Sequence, residues 1–276
     1  MSTEPTTDYG RAGRNLPLAT AVGVGLFAVF SLSLIYEPFI FAILVTVVMV
    51  LAVKELADAL IGELPLHVRR VLFISSPAIM LAAYFGGPDW LIGTYITTVI
   101  AILISRLFYQ QDKYVSNVSR AIFVITYAPL LASFAVMLAA EDKGDLKVFA
   151  LVLLTIGADI GAYFAGIAFG KRPLAPHISP KKTWEGFIGA LTLEFIIGAL
   201  LWKFMFNDQW WQGAVAGIIM AITATVGDLI ESMIKRDLGI KDMSSILPGH
   251  GGIMDRLDSL VINAAVAWGL FALFVQ

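Results

Sequence analysis

Long apolar runs separated by short polar stretches occupy most of the chain. A helix needs roughly 20 apolar residues to cross a hydrocarbon core of about 30 Å. Runs of this order, bounded by charges and turn residues, cover 16–35, 38–53, 70–85, 90–105, 121–140, 148–169, 184–204, 212–231 and 256–275. The pattern therefore predicts an all-α, polytopic integral membrane protein with about nine transmembrane helices.

Composition supports a membrane protein and excludes several other classes. Of the 276 residues, 58% are hydrophobic and 14% are charged, whereas a soluble domain carries about 25% charged residues. The net charge of −2 argues against nucleic acid as a partner. The absence of cysteine excludes disulfides, thiolate nucleophiles and cysteine-bound zinc, so any metal must bind to oxygen or to one of the three histidines.

The apolar runs divide one membrane domain into a tail, an N-terminal group of helices and a C-terminal group of helices. Residues 1–15 are rich in threonine, glycine and charge and are predicted to form a flexible tail. The first run is too long for a signal-peptide core and is interpreted as a retained helix. Residues 16–140 hold the first five helices, and residues 141–276 hold the last four with their loops. The polar stretches 54–69 and 106–120 are expected to extend helices into water or to lie on the surface.

Basic residues predict the orientation in the membrane. If successive loops alternate sides, sixteen of the nineteen lysines and arginines fall on one side, and Lys143, Lys147 and Lys203 fall on the other. Cytoplasmic loops carry the excess of Lys and Arg. The N-terminal tail, with Arg11 and Arg14, is therefore predicted to be cytoplasmic, and the C-terminus to lie on the opposite side.

Acidic residues gather near the ends of the last two runs. Helical spacing places Asp228, Glu231 and Lys235 on one stripe, and Asp255 with Asp258 on another. An ionised carboxylate in the bilayer core costs about 2.5–3.5 kcal/mol on insertion scales, so such groups normally face a wet cavity and a partner. Two interpretations remain open: the carboxylates hold Mg²⁺, or they pair with neighbouring arginines.

Two further polar segments and two isolated acids complete the candidates. Residues 171–186 combine four cations with two hydroxyl side chains, which suits either a polyphosphate or anionic lipid. Residues 250–252 could bind a phosphate at the start of the last helix or form an ordinary loop. Asp159 lies among small residues in the sixth run, which favours a function, whereas Glu194 fits a structural and a functional role equally well.

The C-terminal half contains a long mixed motif. It begins with SMIKR at 232–236, continues with KD at 241–242 and ends with LPGHGGIMDRLD at 247–258. This motif resembles the signature of the phosphatidate cytidylyltransferases, also called CDP-diacylglycerol synthases. Asp159, residues 179–186 and Asp228 resemble the same family. The first five runs are similar to it only in being apolar.

The resemblance implies a reaction and a location. The expected activity is transfer of CMP from CTP to phosphatidic acid, giving CDP-diacylglycerol and pyrophosphate in phospholipid biosynthesis. The expected location is the plasma (inner) membrane of a prokaryote, with the active site facing the cytoplasm and membrane lipids around the chain. The resemblance further implies Mg²⁺ as cofactor, a second cation such as K⁺, and a homodimer.

The resemblance also implies roles for individual residues. The expected metal ligands are Asp228 and Asp255, supported or completed by Asp159, Asp242 and Asp258. The expected catalytic residues are Asp228, Asp255, Lys235, Arg236 and Asp258. The expected substrate-binding residues are Lys171, Ser179, Lys181, Lys182, Thr183, His250, Gly251, Gly252 and Arg256.

Three other functions compete with this interpretation. Intramembrane acids also occur in cation-coupled transporters, although no inverted repeat is visible. A related enzyme could use another lipid phosphate, such as an ether lipid or a polyprenol-linked acceptor. A purely structural membrane scaffold would tolerate replacement of Asp228 or Asp255 by asparagine.

Overall fold

Helices form almost the whole of the described chain. The computed structural model describes residues 25, 28–61, 66–105, 107, 113–244, 246 and 251–275. A helical stretch at 28–36 precedes seven helices that are long and apolar enough to span a membrane. These are α1 Pro38–Ile61, α2 Leu66–Ser105, α3 Tyr114–Ala140, α4 Gly144–Phe169, α5 Trp184–Met205, α6 Trp210–Asp237 and α7 Met254–Phe274. An all-α polytopic membrane protein is confirmed.

Helix α2 contains two of the predicted spans. It is 40 residues long, but Gly87 within it has φ 60° and ψ −151°, and Pro88 follows directly. A positive φ is accessible to glycine because it has no Cβ, so the helix axis breaks here, between the predicted spans 70–85 and 90–105. The predicted first span lies only partly within the described residues, and the tail 1–15 lies outside them. The total of nine helices stays a prediction.

Several helices are longer than their apolar runs. Helix α1 continues eight residues beyond the predicted end at 53, and an ion pair of 3.2 Å between Lys54 and Asp58 lies on this extension. Helix α6 continues to Asp237, so Lys235 and Arg236 belong to a helix and not to a loop. Polar residues can continue a helix into water because its backbone hydrogen bonds are internal. The extension of α1 to Ile61 agrees with the expectation that the polar stretch after 53 continues a helix, whereas the predicted end of α6 at 231 is too early.

A small antiparallel β-hairpin interrupts the helices between α4 and α5. Strand β1 spans Pro173–Ala175 and β2 spans Ser179–Thr183, with Pro173 opposite Thr183 and Ala175 opposite Ser179. The sequence predicted only a polar loop here, because a five-residue strand of mixed polarity has no clear alternation of apolar residues. The hairpin matters for function since it carries two of the candidate lysines.

Close helix contacts hold α4, α5 and α6 together. At Gly198 of α5 and Gly213 of α6, a Cβ on either residue would collide with the carbonyl oxygen of the other. Small residues allow this approach, which gains van der Waals contact where lipid provides no hydrophobic driving force. Trp202 stacks on Phe271 of α7 with ring centroids 5.1 Å apart, which joins α7 to the same group.

We predict that Gly213→Ala destabilises the protein. The added methyl group would meet the Gly198 carbonyl and the Trp202 side chain, and such overpacking costs about 1–3 kcal/mol. The midpoint of thermal denaturation in detergent should fall by several degrees, since 1 kcal/mol corresponds to about 2–4 °C in a chain of this size. Gly93→Ala is the control, because no atom of the described residues lies within 4 Å of its added Cβ. Equal midpoints for the two variants would contradict the close contact.

Candidate functional site

A cavity of about 420 Å³ opens where the hairpin covers the ends of three helices. Its lining residues come from α4, the hairpin, the start of α5 and α6. The polar ones are Asp159, Lys181, Lys182, Thr183, Thr225 and Asp228, and the larger apolar ones are Tyr163, Ile167, Leu174 and Phe187. A cavity with charged groups on one part of its wall and apolar side chains on another suits an amphiphilic ligand.

Hydrogen bonds fix the hairpin on the helices. The Thr183 hydroxyl accepts a hydrogen bond of 3.1 Å from the Gly186 amide and thereby caps α5. Glu185 Oε2 accepts from the amides of Lys171 and Arg172 at 3.0 and 3.2 Å. On the other side, Arg236 Nε donates to the Ile178 carbonyl at 3.4 Å. These contacts explain why residues 171–186 contain a threonine and a glutamate among the cations.

Three aspartates from three helices lie within electrostatic reach of one another. Asp159 of α4 interacts with Asp228 of α6, and Asp258 of α7 interacts with both. Lys182 of β2 forms an ion pair with Asp228, and its charge also acts on Asp159 and Asp258. We call Asp159, Asp228 and Asp258 the aspartate cluster. Asp159, Asp228 and Lys182 line the cavity, and the three carboxylates, when ionised, carry more charge than this one lysine neutralises.

Asp255 belongs to a neighbouring, tighter network at the start of α7. Its side chain is 4% exposed. Oδ1 accepts from Lys235 Nζ at 2.8 Å, and Oδ2 accepts from the amides of Met243 and Gly252, both at 2.8 Å. Lys235 also forms an ion pair with Glu231, which lies one turn earlier on α6. Asp255 therefore links the end of α6, the following loop and the first turn of α7.

The donor chemistry of this region fits a magnesium ion. Mg²⁺ prefers carboxylate oxygen and water as ligands, and the aspartate cluster has more negative charge than its lysine neutralises. Within the described residues, however, no three acidic or histidine side chains already converge as a ligand set. Lys182 at Asp228 and Lys235 at Asp255 occupy carboxylate oxygens that a cation would otherwise contact.

The sequence pattern of the cytidylyltransferase family matches residues 18–274 of the chain. The chain belongs to the cytidylyltransferase family. Three bacterial relatives carry the name phosphatidate cytidylyltransferase. The protein from Mycobacterium bovis is 37% identical over 96% of this chain and 91% of its own length. The one from Mycobacterium leprae is 36% identical over 98% and 92%, and the one from Helicobacter pylori is 35% identical over 70% and 68%.

The structure brings most of the residues expected for a cytidylyltransferase to one end of the helices. Asp159, Lys181, Lys182, Thr183 and Asp228 line the cavity. Asp242 is exposed, and a Cβ on Gly251 would lie 3.6 Å from its Oδ1, so it borders the loop that Asp255 holds. Ser179 starts β2, and Lys171, Arg236 and Arg256 are exposed at the same end. His250 lies outside the described residues.

Two buried polar residues were not recognised in the sequence. Glu55 of α1 is 3% exposed, and its Oε2 accepts from the Met254 amide at 2.9 Å. Glu55 follows the predicted end of its apolar run, where hydropathy alone does not distinguish a buried acid from one on a polar extension of the helix. Asn263 of α7 is fully buried. An amide side chain inside an apolar helix was the signal that could have revealed it, because such groups seek partners across helix interfaces.

Asn263 connects the three helices that carry the aspartate cluster. Its Nδ2 donates to Thr155 Oγ1 of α4 at 3.0 Å, and its Oδ1 accepts from Thr223 Oγ1 of α6 at 2.6 Å. Thr155 precedes Asp159 by one helical turn, and Asn263 follows Asp258 by little more than one. The Asn263 amide therefore fixes how far the three helices are shifted along their axes relative to one another. It does so about one turn away from the carboxylates.

Glu194 remains separate from the cavity. It is fully buried in α5, and among the described residues no hydrogen-bond partner contacts its two carboxylate oxygens. A Cβ on Gly157 of α4 would collide with its Oε1, so it lies in the helix interface and does not line the cavity.

We predict that Asn263→Leu weakens the contact between α4, α6 and α7. Leucine has the same branched arrangement of four heavy side-chain atoms but cannot bond to either threonine, and interhelical hydrogen bonds in membranes contribute about 0.6 kcal/mol on average and up to about 1.7. The thermal midpoint in detergent should fall by a few degrees. Thr97→Val is the control, since Thr97 is exposed and its hydroxyl donates to the Gly93 carbonyl of its own helix. An unchanged midpoint for Asn263→Leu would contradict this role.

Proposed function

We propose that this protein transfers CMP from CTP to phosphatidic acid, giving CDP-diacylglycerol and pyrophosphate. The observation that carries the proposal is the ion pair of Asp228 with Lys182, together with Asp159, in the lining of a cavity whose wall is partly apolar. Such a site accommodates both a charged phosphate and an acyl chain. The names of the relatives and the family pattern support the same reaction.

The residue types suit this transfer. A phosphate oxygen of phosphatidic acid forms a bond to the α-phosphorus of CTP, and the bond from that phosphorus to the bridging oxygen of pyrophosphate breaks. The phosphate monoester is already anionic near neutral pH, so it needs no general base. The enzyme has to align two anions and neutralise their charge. Carboxylates for a metal and cations for phosphates are sufficient for that task.

Mg²⁺ is the proposed metal, and its proposed ligands are Asp228 and Asp255. Asp159, Asp242 and Asp258 would support or complete the ligand set, and a second cation such as K⁺ would share it. A bound metal supplies charge neutralisation and orientation of the reacting phosphates. The charge of the aspartate cluster supports the part of this assignment that concerns Asp159, Asp228 and Asp258.

Cations and neutral donors around the cavity are proposed to hold the substrates. Lys182 and Lys235 are half-buried at the two acidic groups, and Lys181 is exposed at the rim of the cavity. The full proposed set is Lys171, Lys181, Lys182, Lys235, Arg236 and Arg256, with Ser179, Thr183 and the amides of 250 and 251 as neutral donors. The Gly252 amide, expected from the sequence to bind phosphate as well, donates to Asp255 instead. Lysine and arginine bind phosphate through charge-assisted hydrogen bonds.

The apolar wall supports lateral access for the lipid. Tyr163 and Ile167 line the cavity and are 63% and 69% exposed, so they face the surroundings of the helices. Phosphatidic acid would approach from the bilayer along this wall, whereas CTP would arrive from water at the hairpin. The charged loops would attract the nucleotide and the anionic lipid to the same end.

The proposal includes nine membrane-spanning helices with the N-terminus and the active site in the cytoplasm. The broken helix at Gly87 supports two spans within α2, and the distribution of lysine and arginine supports the orientation. The plasma membrane of a prokaryote is the proposed location, and a homodimer is the proposed assembly.

We expect Asp228→Asn and Asp255→Asn to lose activity while remaining folded. Each change removes one negative charge from the proposed metal site, and loss of one such electrostatic contact costs on the order of 100-fold or more in rate. The measurement is incorporation of labelled CTP into chloroform-soluble product by the purified protein with phosphatidic acid and Mg²⁺.

Asp145→Asn is the matched control, since Asp145 is exposed in the first turn of α4, at the end opposite Asp159. It should keep full activity, and chelation of divalent metal should abolish the activity of the parent. If folded parent protein made no product with several lipid phosphates and divalent metals, the proposed function would be wrong. Cation-coupled transport would then be the favoured function.

Single cysteines test the proposed orientation, because the chain has no cysteine of its own. Lys143→Cys lies between α3 and α4, and His177→Cys lies in the turn of the hairpin, both exposed. A membrane-impermeant maleimide should label Lys143→Cys on intact cells, but His177→Cys and Ser2→Cys only after permeabilisation. Labelling with the sides reversed would overturn the orientation, and labelling of Ser2→Cys and His177→Cys from different sides would overturn the number of helices.

A further inference from the structure

Glu55 is an acid buried in one of the most apolar parts of the chain. Helix α1 has a mean hydropathy of 2.5 over its most apolar 18 residues, yet it carries this carboxylate at 3% exposure. Burial of a charged group is costly unless the group is paired and hydrogen-bonded. Neither the proposed metal set nor the proposed phosphate set includes Glu55, so its burial requires another reason.

The contact of Glu55 is with the beginning of α7, 199 residues later in the chain. Its Oε2 accepts a hydrogen bond of 2.9 Å from the amide of Met254, the first residue of that helix. First-turn amides have no partner within their own helix. The residue at the N-cap position is Ile253, whose side chain cannot accept a hydrogen bond, so α1 provides the cap that α7 lacks. A negative charge is also favourable at a helix N-terminus.

The same carboxylate confines the glycine turn before α7. A Cβ on Gly252 would collide with Glu55 Oε1, and it would lie 3.0 Å from Asp255 Oδ2 on its other side. Gly252 is therefore enclosed between two carboxylates, and its amide donates to Asp255 at 2.8 Å. Among the described residues, none donates a hydrogen bond to Glu55 Oε1. A shift of Glu55 would thus change the turn that holds Asp255.

We propose that Glu55 is a positioning residue for the proposed active site. Through the Met254 amide and Gly252, it sets the place of Asp255, which in turn fixes Lys235 at 2.8 Å. Its effect on turnover rests on the proposed function, whereas its effect on the turn at 251–254 does not. By this contact the N-terminal helices, which carry none of the motif, control the geometry of the C-terminal site.

Two conservative variants separate the effect of the hydrogen bond to Met254 from the effect of the negative charge of Glu55. Glu55→Gln keeps an oxygen at the same distance, so it can still accept from the Met254 amide, but it has no charge. Glu55→Asp keeps the charge but is one methylene shorter, so the hydrogen bond is lost. We expect Glu55→Gln to retain kcat within about threefold of the parent. Glu55→Asp should lower kcat by roughly 10- to 100-fold, since a displacement of about 1 Å in a site can cost that much, while KM for phosphatidic acid stays within about twofold.

A second measurement does not depend on turnover. Hydrogen–deuterium exchange of the peptide that contains 251–258 should be faster in Glu55→Asp than in the parent and unchanged in Glu55→Gln. Asp58→Asn is the control, because Asp58 lies on the same helix, is about half exposed and pairs with Lys54. It should match the parent in kcat and in exchange.

Each outcome decides the proposal. Equal losses in both Glu55 variants, or a greater loss in Glu55→Gln, would overturn it, because the charge of Glu55 would then matter at least as much as its hydrogen bond. Parent-like exchange at 251–258 in Glu55→Asp would also overturn it. If the parent turned over no CTP while Glu55→Asp alone showed faster exchange at the turn, the proposed function would fail and the positioning role would stand.

Discussion

Buried and half-buried carboxylates at one end of a membrane helix bundle are the constraint on which the other features depend. Each acid needs a cation or backbone amides nearby, because an unpaired charge in a low-dielectric environment is costly. Lys182 forms an ion pair with Asp228, and Lys235 forms one with Asp255. The amides of Met243 and Gly252 also donate hydrogen bonds to Asp255. The hairpin, the loop after α6 and the start of α7 are arranged to provide these partners.

Asp228 and Asp255 are neutralised in different ways. A lysine can move away from a carboxylate with little change of the backbone, because its side chain is long and flexible. A backbone amide cannot move in this way. Asp228, paired with a lysine and contacted by the Ser232 hydroxyl at 3.2 Å, is thus held less rigidly than Asp255. The structure separates an adaptable acid in the cavity from a fixed acid beside it.

Rigid support for this site comes from neutral polar contacts and from close helix packing. Asn263 ties α4, α6 and α7 together one turn below the aspartate cluster, and Gly198 with Gly213 lets α5 and α6 touch through their backbones. Neither device adds charge to the apolar interior. Glu55 adds the contact from α1, so the apolar N-terminal helices are also part of the support.

The sequence by itself determined the helical membrane class, the family and most of the charged residues at the site. Runs of apolar residues are a property of local composition, and the motif at 232–258 is continuous along the chain, so both can be recognised without coordinates. Only the tertiary structure decided which acid meets which lysine, that residues 173–183 form a hairpin, and that Glu55 reaches Met254. These depend on contacts between residues far apart in the chain, and neither hydropathy nor local spacing contains that information.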